Sequence, residues 1–385
     1  MHFFEFSEEQ KMLRKAIREF VEAEIAPKAA EWDDKDECPV ELLKKMGEIG
    51  INGIFVPEQY GGVGLGFVER TICLEEIARH SAGLALAVMT HHMGMLPILN
   101  YGTEEQKKKY LPDLCSGTKI SGLAATEPGG GSDFGGQKTL AGKNGETWVV
   151  NGRKCFITSS NIADVLLFTA KTGEDEKGRS KLSCFVIEKG ANGFTSGRKE
   201  RKLGFRSSST GDILFAEAKI GADSLIGKEG GGAKIGMDSI AEAGRTGVSA
   251  ICVGILRGCV EESVKFANER ILYGKPISKL QAVQFEAAKI RTDYEAARLM
   301  TYYAAGLKDA GKPYTNEATI AKYFASEAAV TAAKRMMDIM GGYGVINEYP
   351  AGRFLRDALT AIPACGTSHI MQIIIAASTF GDFQP

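Results

Sequence analysis

The stretch Thr126-Glu127-Pro128-Gly129-Gly130-Gly131-Ser132-Asp133 decides how the rest of the chain is interpreted. Three consecutive glycines let a backbone approach a flat or phosphorylated ligand closely, with its N–H groups exposed. Thr126 and Ser132 place hydroxyl groups at the two ends of the run. A glycine run alone is more often a flexible surface loop. Here Leu123-Ala124-Ala125-Thr126 predicts a strand leading into it, which favours a ligand-binding loop.

A second stretch, Trp148-Val149-Val150-Asn151-Gly152-Arg153-Lys154-Cys155-Phe156-Ile157-Thr158, follows and predicts a hairpin. The first stretch resembles the pattern T-E-P-x-x-G-S-D, and the second resembles N-G-x-K-x-x-I-T. Both patterns belong to the flavin-binding β-domain of the acyl-CoA dehydrogenase family. Their order and interval make the resemblance specific, and it runs from Ser7 to about Ala377.

Composition narrows the class of protein. A chain of 385 residues has room for two or three domains around a substantial core. Its 47 basic and 48 acidic residues nearly balance, which argues against nucleic-acid and membrane-surface partners. The eight cysteines occur singly, which favours a reducing cytoplasm over a disulfide framework or a metal site. Because Met1-His2-Phe3-Phe4 leads directly into a capped helix, we expect no signal peptide, and we expect no apolar run long enough to span a bilayer.

The predicted secondary structure changes twice along the chain. Capping boxes at Ser7 and Thr103 indicate helices, and residues 1–119 are predicted to be all-helical. Short β-branched runs between Gly, Asn and Ser predict a small antiparallel β-domain, in the form of a barrel, over 120–227. Residues 228–385 return to helices, with a packed seam at Val283, Ala287, Ile290, Tyr294, Ala297, Thr301 and Ala304. This order matches the α+β architecture of the family: an N-terminal helical domain, a β-barrel flavin-binding domain and a C-terminal four-helix bundle.

The resemblance implies FAD as the cofactor. In the β-domain it places FAD contacts on Leu123, Ala125, Thr126, Gly131, Ser132, Phe156, Ile157 and Thr158. In the C-terminal domain it places them on Arg270, Tyr273, Gln281, Asp338, Gly341, Gly342, Thr367 and His369. Asp338 is a departure, since relatives usually have Gln there and an acid repels a diphosphate.

One of these segments also implies an assembly. The run from Arg270 to Ile277 resembles R-x-x-F-G-K-P-I, which in relatives reaches the FAD of a neighbouring subunit. A guanidinium suits a pyrophosphate because it offers planar, bidentate donors. The resemblance therefore implies a homo-oligomer, a homotetramer built as a dimer of dimers.

An acyl-CoA substrate and an electron-transferring flavoprotein are the partners that the resemblance implies. Its CoA contacts fall on Ser132, Arg206, Glu242, Arg245 and Gly366. Relatives commonly have Asp where this chain has Glu242.

The catalytic base is where the sequence departs most from the family. The reaction needs a base to take a proton from the acyl chain while a hydride leaves from the opposite face. The usual Glu before Gly-Thr-Ser is absent, and Cys365 stands in its place. The other known position, directly before Arg245, holds Gly244. Cys365 as a thiolate and His91 as an imidazole remain as candidate bases. Since consecutive helical residues point about 100° apart, only one of His91 and His92 can face the substrate.

Three functions stay open at this point. A missing α-carbon base suits an alicyclic or already unsaturated acyl-CoA, such as cyclohexenecarboxyl-CoA, which loses its proton further along in a 1,4-elimination. The first alternative is conventional α,β-dehydrogenation of a short-chain acyl-CoA with Cys365 or a solvent-relayed base. The second is a binding protein that keeps FAD and acyl-CoA without turnover.

Overall fold

The N-terminal part of the chain is all-helical, as predicted. The computed structural model describes residues 5–382, so Met1-His2-Phe3-Phe4, on which the expectation about a signal peptide rests, lie outside the described residues. The hydroxyls of Ser7 and Thr103 accept hydrogen bonds from the backbone N–H groups of Gln10 and Gln106, which confirms both capping boxes. The helices are α1 Glu8–Glu24, α2 Ala29–Lys35, α3 Val40–Glu48, α4 Phe67–Ala78, α5 Ala82–Tyr101 and α6 Glu104–Cys115.

The middle of the chain is one mixed sheet with its own core. Its strands run in the order β6-β7-β3-β2-β4-β5-β8, and β1 pairs with β4. Aromatic rings fill the space that the sheet encloses, with Phe168 centred 4.6 Å from Phe215 and 5.5 Å from Phe185. The strands are β1 Ser121–Ala124, β2 Leu140–Asn144, β3 Thr147–Thr158, β4 Val165–Glu174, β5 Ser180–Glu188, β6 Phe194–Lys199, β7 Thr210–Gly221 and β8 Leu225–Ile226.

The predicted antiparallel barrel needs two corrections. Strands β1 and β2 both lie parallel to β4. A parallel pair needs a long crossover connection, and the glycine loop with the β2–β3 hairpin supplies it between β1 and β4. In the described part of the chain, the terminal strands β6 and β8 are not hydrogen-bonded to each other, so the ladder is an open path.

The predicted hairpin at Trp148–Thr158 is wrong, because this stretch is the single strand β3. Gly152 adopts φ +151° and the pairing with β7 shifts register between Val150 and Gly152. The Asn151-Gly152 pair therefore forms a bulge and not a turn. The true turn lies earlier, where Gly145 (φ +62°) joins β2 to β3.

The C-terminal part is helical, with α10 at its centre and α8, α9, α11 and α12 packed around it. The predicted seam on α9 is confirmed at Ile290, Tyr294, Ala297, Thr301 and Ala304, which are all buried. The elements are α7 Gly232–Ser239, a π-helical turn Ile240–Arg245, α8 Thr246–Glu269, β9 Ile271–Leu272, β10 Lys275–Pro276, α9 Gln281–Asp309, α10 Thr315–Met340, α11 Ala351–Ala361 and α12 Ser368–Asp382.

The prediction that no apolar run is long enough to span a bilayer is wrong for two helices, by length and composition. Helix α5 and the continuous helical segment Gly232–Glu269 both have the length and hydropathy to cross a membrane. In each case 94% of the apolar window is buried inside the protein. Helix α5 packs against α4, α6, α8 and β1, so its apolar surface is used in the core.

Helix α4 joins the two helical domains. It packs against α1 and α5 on one side and against α8 and α9 on the other. Glu75 and Glu76 on α4 are buried, and both receive ion pairs from Arg14 on α1 and Arg257 on α8. Side chains of α4 are therefore held firmly next to the start of α8.

Candidate active site

A buried ion pair ties the two sequence patterns into one structural unit. Lys154 of the second pattern is fully buried, and its Nζ lies 2.8 Å from Oε1 of Glu127 in the first. Glu127 also accepts hydrogen bonds from the backbone N–H groups of Lys138 (2.6 Å) and Thr139 (3.0 Å). Burial lowers the pKa of Lys154 to about 8. Burial opposes ionisation of Glu127 as well, but the hydrogen bonds from Lys154 and the backbone bring its pKa below the usual value.

The glycines of the loop face open space. A Cβ atom built on Gly129 or Gly130 would meet no other atom within 4 Å. Gly130 has φ +143°, a conformation that side-chain-bearing residues rarely adopt. A Cβ on Gly131 would lie 3.1 Å from the hydroxyl of Thr126. The loop is therefore an exposed backbone surface, held in place by the Lys154–Glu127 pair.

Phe156 stands beside this loop on the protein surface. Its neighbour Cys155 donates its backbone N–H to the carbonyl of Thr126 at 2.9 Å. A register shift between Lys154 and Ile157 turns the chain, so that Phe156 has φ +57° and is 68% exposed whereas Ile157 is buried. An exposed aromatic ring next to an open glycine loop fits the flat ring system and diphosphate of FAD.

The C-terminal residues predicted to contact FAD form a separate exposed cluster. The guanidinium of Arg270 lies 5.3 Å from the ring centre of Tyr343, beside Gly341 and Gly342. Tyr273 is 89% exposed with φ +53°. Over residues 5–382, no hydrogen bond, ion pair or ring contact joins Arg270 or Tyr273 to the glycine loop. This arrangement fits the prediction that the cluster serves the cofactor of a neighbouring subunit, which stays a prediction.

The other residues of this predicted set lie on exposed or half-buried helix ends. Asp338 pairs with Lys334 at 2.9 Å, which offsets the negative charge that would repel a diphosphate. Thr367 caps α12 by accepting the N–H of Ile370 at 3.3 Å. Gln281 and His369 are exposed at the first turns of α9 and α12.

We expect Arg270→Ala to lower the flavin content of the protein and to speed flavin loss on dilution. The exposed guanidinium is free to bind an anion, and hydrogen bonds to charged groups are worth about 1.5–3 kcal/mol. Flavin content at a series of protein concentrations measures the effect. Arg291→Ala on α9 is the matched control, and equal flavin retention in both variants contradicts a role for Arg270.

The residues predicted to contact CoA do not all lie at one site. Ser132 is exposed on the glycine loop. Glu242 is buried in the π-helical turn, where it pairs with Lys308 at 2.6 Å and accepts from Asn100 at 3.3 Å. Arg206 instead donates to the backbone carbonyls of Asp33 and Asp34 at 2.7 and 3.0 Å, so its guanidinium is largely used within the protein.

His91 and His92 are both internal, and their contacts argue against the prediction that His91 is the base. His91 is buried, its Nδ1 accepts the backbone N–H of Ser121 at 3.0 Å, and its Nε2 donates to the carbonyl of Leu114 at 3.0 Å. Neither nitrogen is free to take a proton from a substrate. Burial lowers the pKa of His91 to about 4. His92 is engaged in the same way, by Arg70 at Nδ1 and by the carbonyl of Ile51 at Nε2.

Cys365 lies where the two family positions for the base meet. It adopts φ +53° between α11 and α12, is half-buried, and its Sγ is 4.0 Å from Sδ of Met93. A Cβ atom on Gly244 would lie 2.8 Å from this Sγ. The two positions at which the resemblance places a catalytic Glu are therefore adjacent here, and neither has a carboxylate. Burial raises the pKa of the Cys365 thiol to about 11, although Lys322, Arg245 and Arg70 act in the opposite direction.

Sequence reasoning missed two of these three cations. Arg70 on α4 and Lys322 on α10 are fully buried, and only Arg245 was predicted to belong to the site. The available signal was weak: each missed residue is a single basic side chain within an otherwise apolar helix face. The π-helical turn that holds Glu242 and Arg245 was also missed, and such turns are frequent at functional sites.

Comparisons with known proteins identify the same three-part fold over most of the chain. Family models match in succession: "Acyl-CoA dehydrogenase, N-terminal domain" over residues 7–118, the middle domain over 122–218 and the C-terminal domain over 230–380. The chain is 42% identical to an acyl-CoA dehydrogenase of Bacillus subtilis, covering 97% of this chain and 99% of the relative. It is 41% identical to acryloyl-CoA reductase (NADH) of Anaerotignum propionicum, covering 97% and 95%. The structure of butyryl-CoA dehydrogenase from Megasphaera elsdenii superposes with a TM-score of 0.95 at 35% identity, covering 98% and 99%.

Proposed function

Since the chain belongs to the acyl-CoA dehydrogenase family of FAD-dependent oxidoreductases that act on CH–CH groups, we propose that its substrate is an alicyclic or already unsaturated acyl-CoA, dehydrogenated by 1,4-elimination. One observation carries the proposal. A Cβ atom on Gly244 would lie 2.8 Å from Sγ of Cys365, so the two positions at which the family resemblance places the base adjoin each other and neither holds a carboxylate. Ordinary α,β-oxidation depends on that carboxylate, whereas a substrate that loses its proton further along the chain does not.

The residues of this chain have defined tasks in the proposal. The residues around the glycine loop would hold FAD, which would supply the hydride-accepting chemistry. The Lys154–Glu127 pair holds the glycine loop, and the Phe156 ring provides a flat surface beside it. Arg245 and Glu242 in the π-helical turn contact the pantetheine and nucleotide of CoA. Arg270 completes the flavin site of a neighbouring subunit in a homotetramer. Electrons leave through an electron-transferring flavoprotein, and because all eight cysteines are free thiols we place the protein in a reducing cytoplasm.

One alternative is supported by a specific observation. The likeness to butyryl-CoA dehydrogenase extends over 98% of the chain, so a short saturated acyl group is the second candidate substrate. In that reaction either Cys365 as a thiolate or a solvent-relayed base removes the α-proton. The raised pKa of Cys365 makes its thiolate scarce at neutral pH, which disfavours the first of these two routes.

Anaerobic flavin reduction distinguishes these substrates. Purified holoenzyme is mixed with butyryl-CoA, cyclohexanecarboxyl-CoA and cyclohex-1-enecarboxyl-CoA, and bleaching of the visible flavin band is followed by stopped flow. We expect an alicyclic ester to bleach the flavin at least about tenfold faster than butyryl-CoA. Faster bleaching by butyryl-CoA supports the short-chain alternative. Bleaching by no ester, with FAD and CoA still bound, identifies a binding protein.

A further inference from the structure

A cavity of about 620 Å³ opens between α1, α8 and α9, and none of its lining residues belongs to the candidate active site. Seven basic side chains line the cavity, four from α1, one from α8 and two from α9, against two acidic ones, Glu261 and Glu295. The chain as a whole carries 47 basic and 48 acidic residues, so this excess of positive charge is local. A concave surface with this charge favours an anionic ligand.

Three guanidiniums of the lining are held in place by two buried carboxylates of α4. Arg14 donates from Nη2 to Glu75 at 2.9 Å and from Nε to Glu76 at 2.7 Å. Arg257 donates from Nη1 to the same oxygen of Glu76 at 2.5 Å. Arg18 shares this oxygen at 3.1 Å. These ion pairs fix the three guanidiniums at the cavity wall, and the N–H groups that the pairs do not use are free to serve a ligand.

Arg298 on α9 lines the same cavity and has unused donors. Its side chain is 18% exposed, and its Nη1 lies 3.7 Å from Glu295, which is beyond hydrogen-bonding distance. Glu295 accepts instead from Nε of Arg291, at 2.9 Å. Within residues 5–382 the Arg298 guanidinium donates no hydrogen bond. A guanidinium offers five N–H donors, and leaving them unpaired in a mostly buried position is costly. A ligand with several anionic oxygens would satisfy them.

The cavity also has an apolar wall. The ring centre of Phe6 lies 5.4 Å from the guanidinium of Arg14 and 5.2 Å from that of Arg298. Val260 and Tyr294 continue this wall, and the methylene stems of the arginines add to it. A volume of about 620 Å³ is typical of small-molecule sites, which combine apolar walls with a few charged groups. The ligand that fits both parts of the lining carries a flat ring and several negative charges.

We propose that this cavity is a second ligand site, which binds a nucleoside di- or triphosphate. The phosphate oxygens accept hydrogen bonds from Arg298, Arg14 and Arg257, because guanidinium groups bind phosphate through paired N–H donors. The base packs against the wall formed by Phe6 and by the planes of the guanidiniums, on which bases also stack. The site is separate from the predicted CoA contacts. Arg257 lies twelve residues after Arg245 on one helical segment, which is about 18 Å at the rise of a helix.

Isothermal titration calorimetry of the FAD-loaded protein with ATP tests the site. The wild type should bind one ATP per chain. Arg298→Gln should weaken binding roughly 10- to 100-fold, the range for a lost hydrogen bond to a charged group. Because Arg298 donates no hydrogen bond within the described residues, this variant should keep the wild-type Tm and flavin spectrum. Arg179→Gln, at an exposed arginine between β4 and β5, is the matched control and should bind ATP as the wild type does. A wild type that binds no ATP, or an Arg298→Gln variant with wild-type affinity, overturns the proposal.

A second variant and two further ligands separate the base from the phosphates and this cavity from the CoA site. Phe6→Ala removes part of the apolar wall and none of the cations, so it should weaken ATP binding and leave the affinity for inorganic tripolyphosphate unchanged. Tripolyphosphate that binds the wild type as tightly as ATP shows that the base is not recognised, which overturns the nucleotide assignment. Saturating CoA should leave ATP binding intact. ATP binding that CoA abolishes and Arg298→Gln leaves unchanged lies in the CoA pocket and contradicts a second site.

Discussion

Replacing Cys365 by Glu is expected to raise the rate of flavin reduction by butyryl-CoA by about 10²–10⁴-fold, the usual effect of a positioned acid–base group. The substitution returns a carboxylate to the position from which relatives remove the α-proton. Gly244 has no side chain that could block it. Arg70, Arg245 and Lys322 would favour the ionised carboxylate. Since Cys365 already adopts φ +53°, another side-chain-bearing residue adds little new backbone strain.

The matched control is Cys365→Gln, which has nearly the same shape but no basic group. Both variants are mixed anaerobically with butyryl-CoA and compared with the wild type by stopped flow. In Cys365→Glu the rate should fall at acidic pH as the carboxylate is protonated, and Cys365→Gln should stay slow throughout. If Cys365→Glu binds FAD and butyryl-CoA but reduces its flavin no faster than Cys365→Gln, position 365 does not face the α-carbon.

Local sequence patterns were sufficient to predict the family and most of the fold. Helix caps at Ser7 and Thr103 and the seam on α9 depend on neighbours three or four residues apart, and the structure confirms them. The paired patterns around Glu127 and Lys154 were recognisable for a physical reason as well. Each supplies one half of a buried ion pair, so the charge buried by one pattern is neutralised by the other.

The structure departs from the predictions where contacts between residues far apart in sequence determine the local conformation. The Asn151-Gly152 pair has the composition of a turn, but pairing with β7 keeps the chain extended and converts Gly152 into a bulge. Helix α5 is apolar on all sides and almost entirely buried, so periodicity could not show which histidine faces the substrate. Both prove to be internal. Arg70 and Lys322 reach the site from helices far apart in sequence, and no local pattern marks such a convergence.

Breaking the Lys154–Glu127 ion pair is the other change for which we expect a large effect. Lys154→Met should lower the free energy of unfolding by about 3–5 kcal/mol, because it leaves the buried carboxylate of Glu127 without its cation. The glycine loop should lose its fixed position at the same time, so flavin content should fall with stability. Denaturant unfolding and flavin absorbance, measured on the same samples, check both effects.

Glu127→Gln and the double variant show whether the charge pair itself is responsible. The unfolded-state pKa of Lys154 is the ordinary one, whereas its folded-state pKa is lowered to about 8. Without Glu127 the folded-state pKa of Lys154 falls further. The loss of stability in Glu127→Gln relative to the wild type should therefore be greatest at pH values below this lowered pKa. It should shrink as pH rises towards about 8, because the folded variant has then released the Lys154 proton whereas the folded wild type still holds it. The double variant Glu127→Gln/Lys154→Met should be more stable than the sum of the two single losses predicts, since it buries no unpaired charge. Strict additivity, or a Glu127→Gln deficit that is constant across this pH range, would show that the two side chains act independently and that packing alone holds the loop.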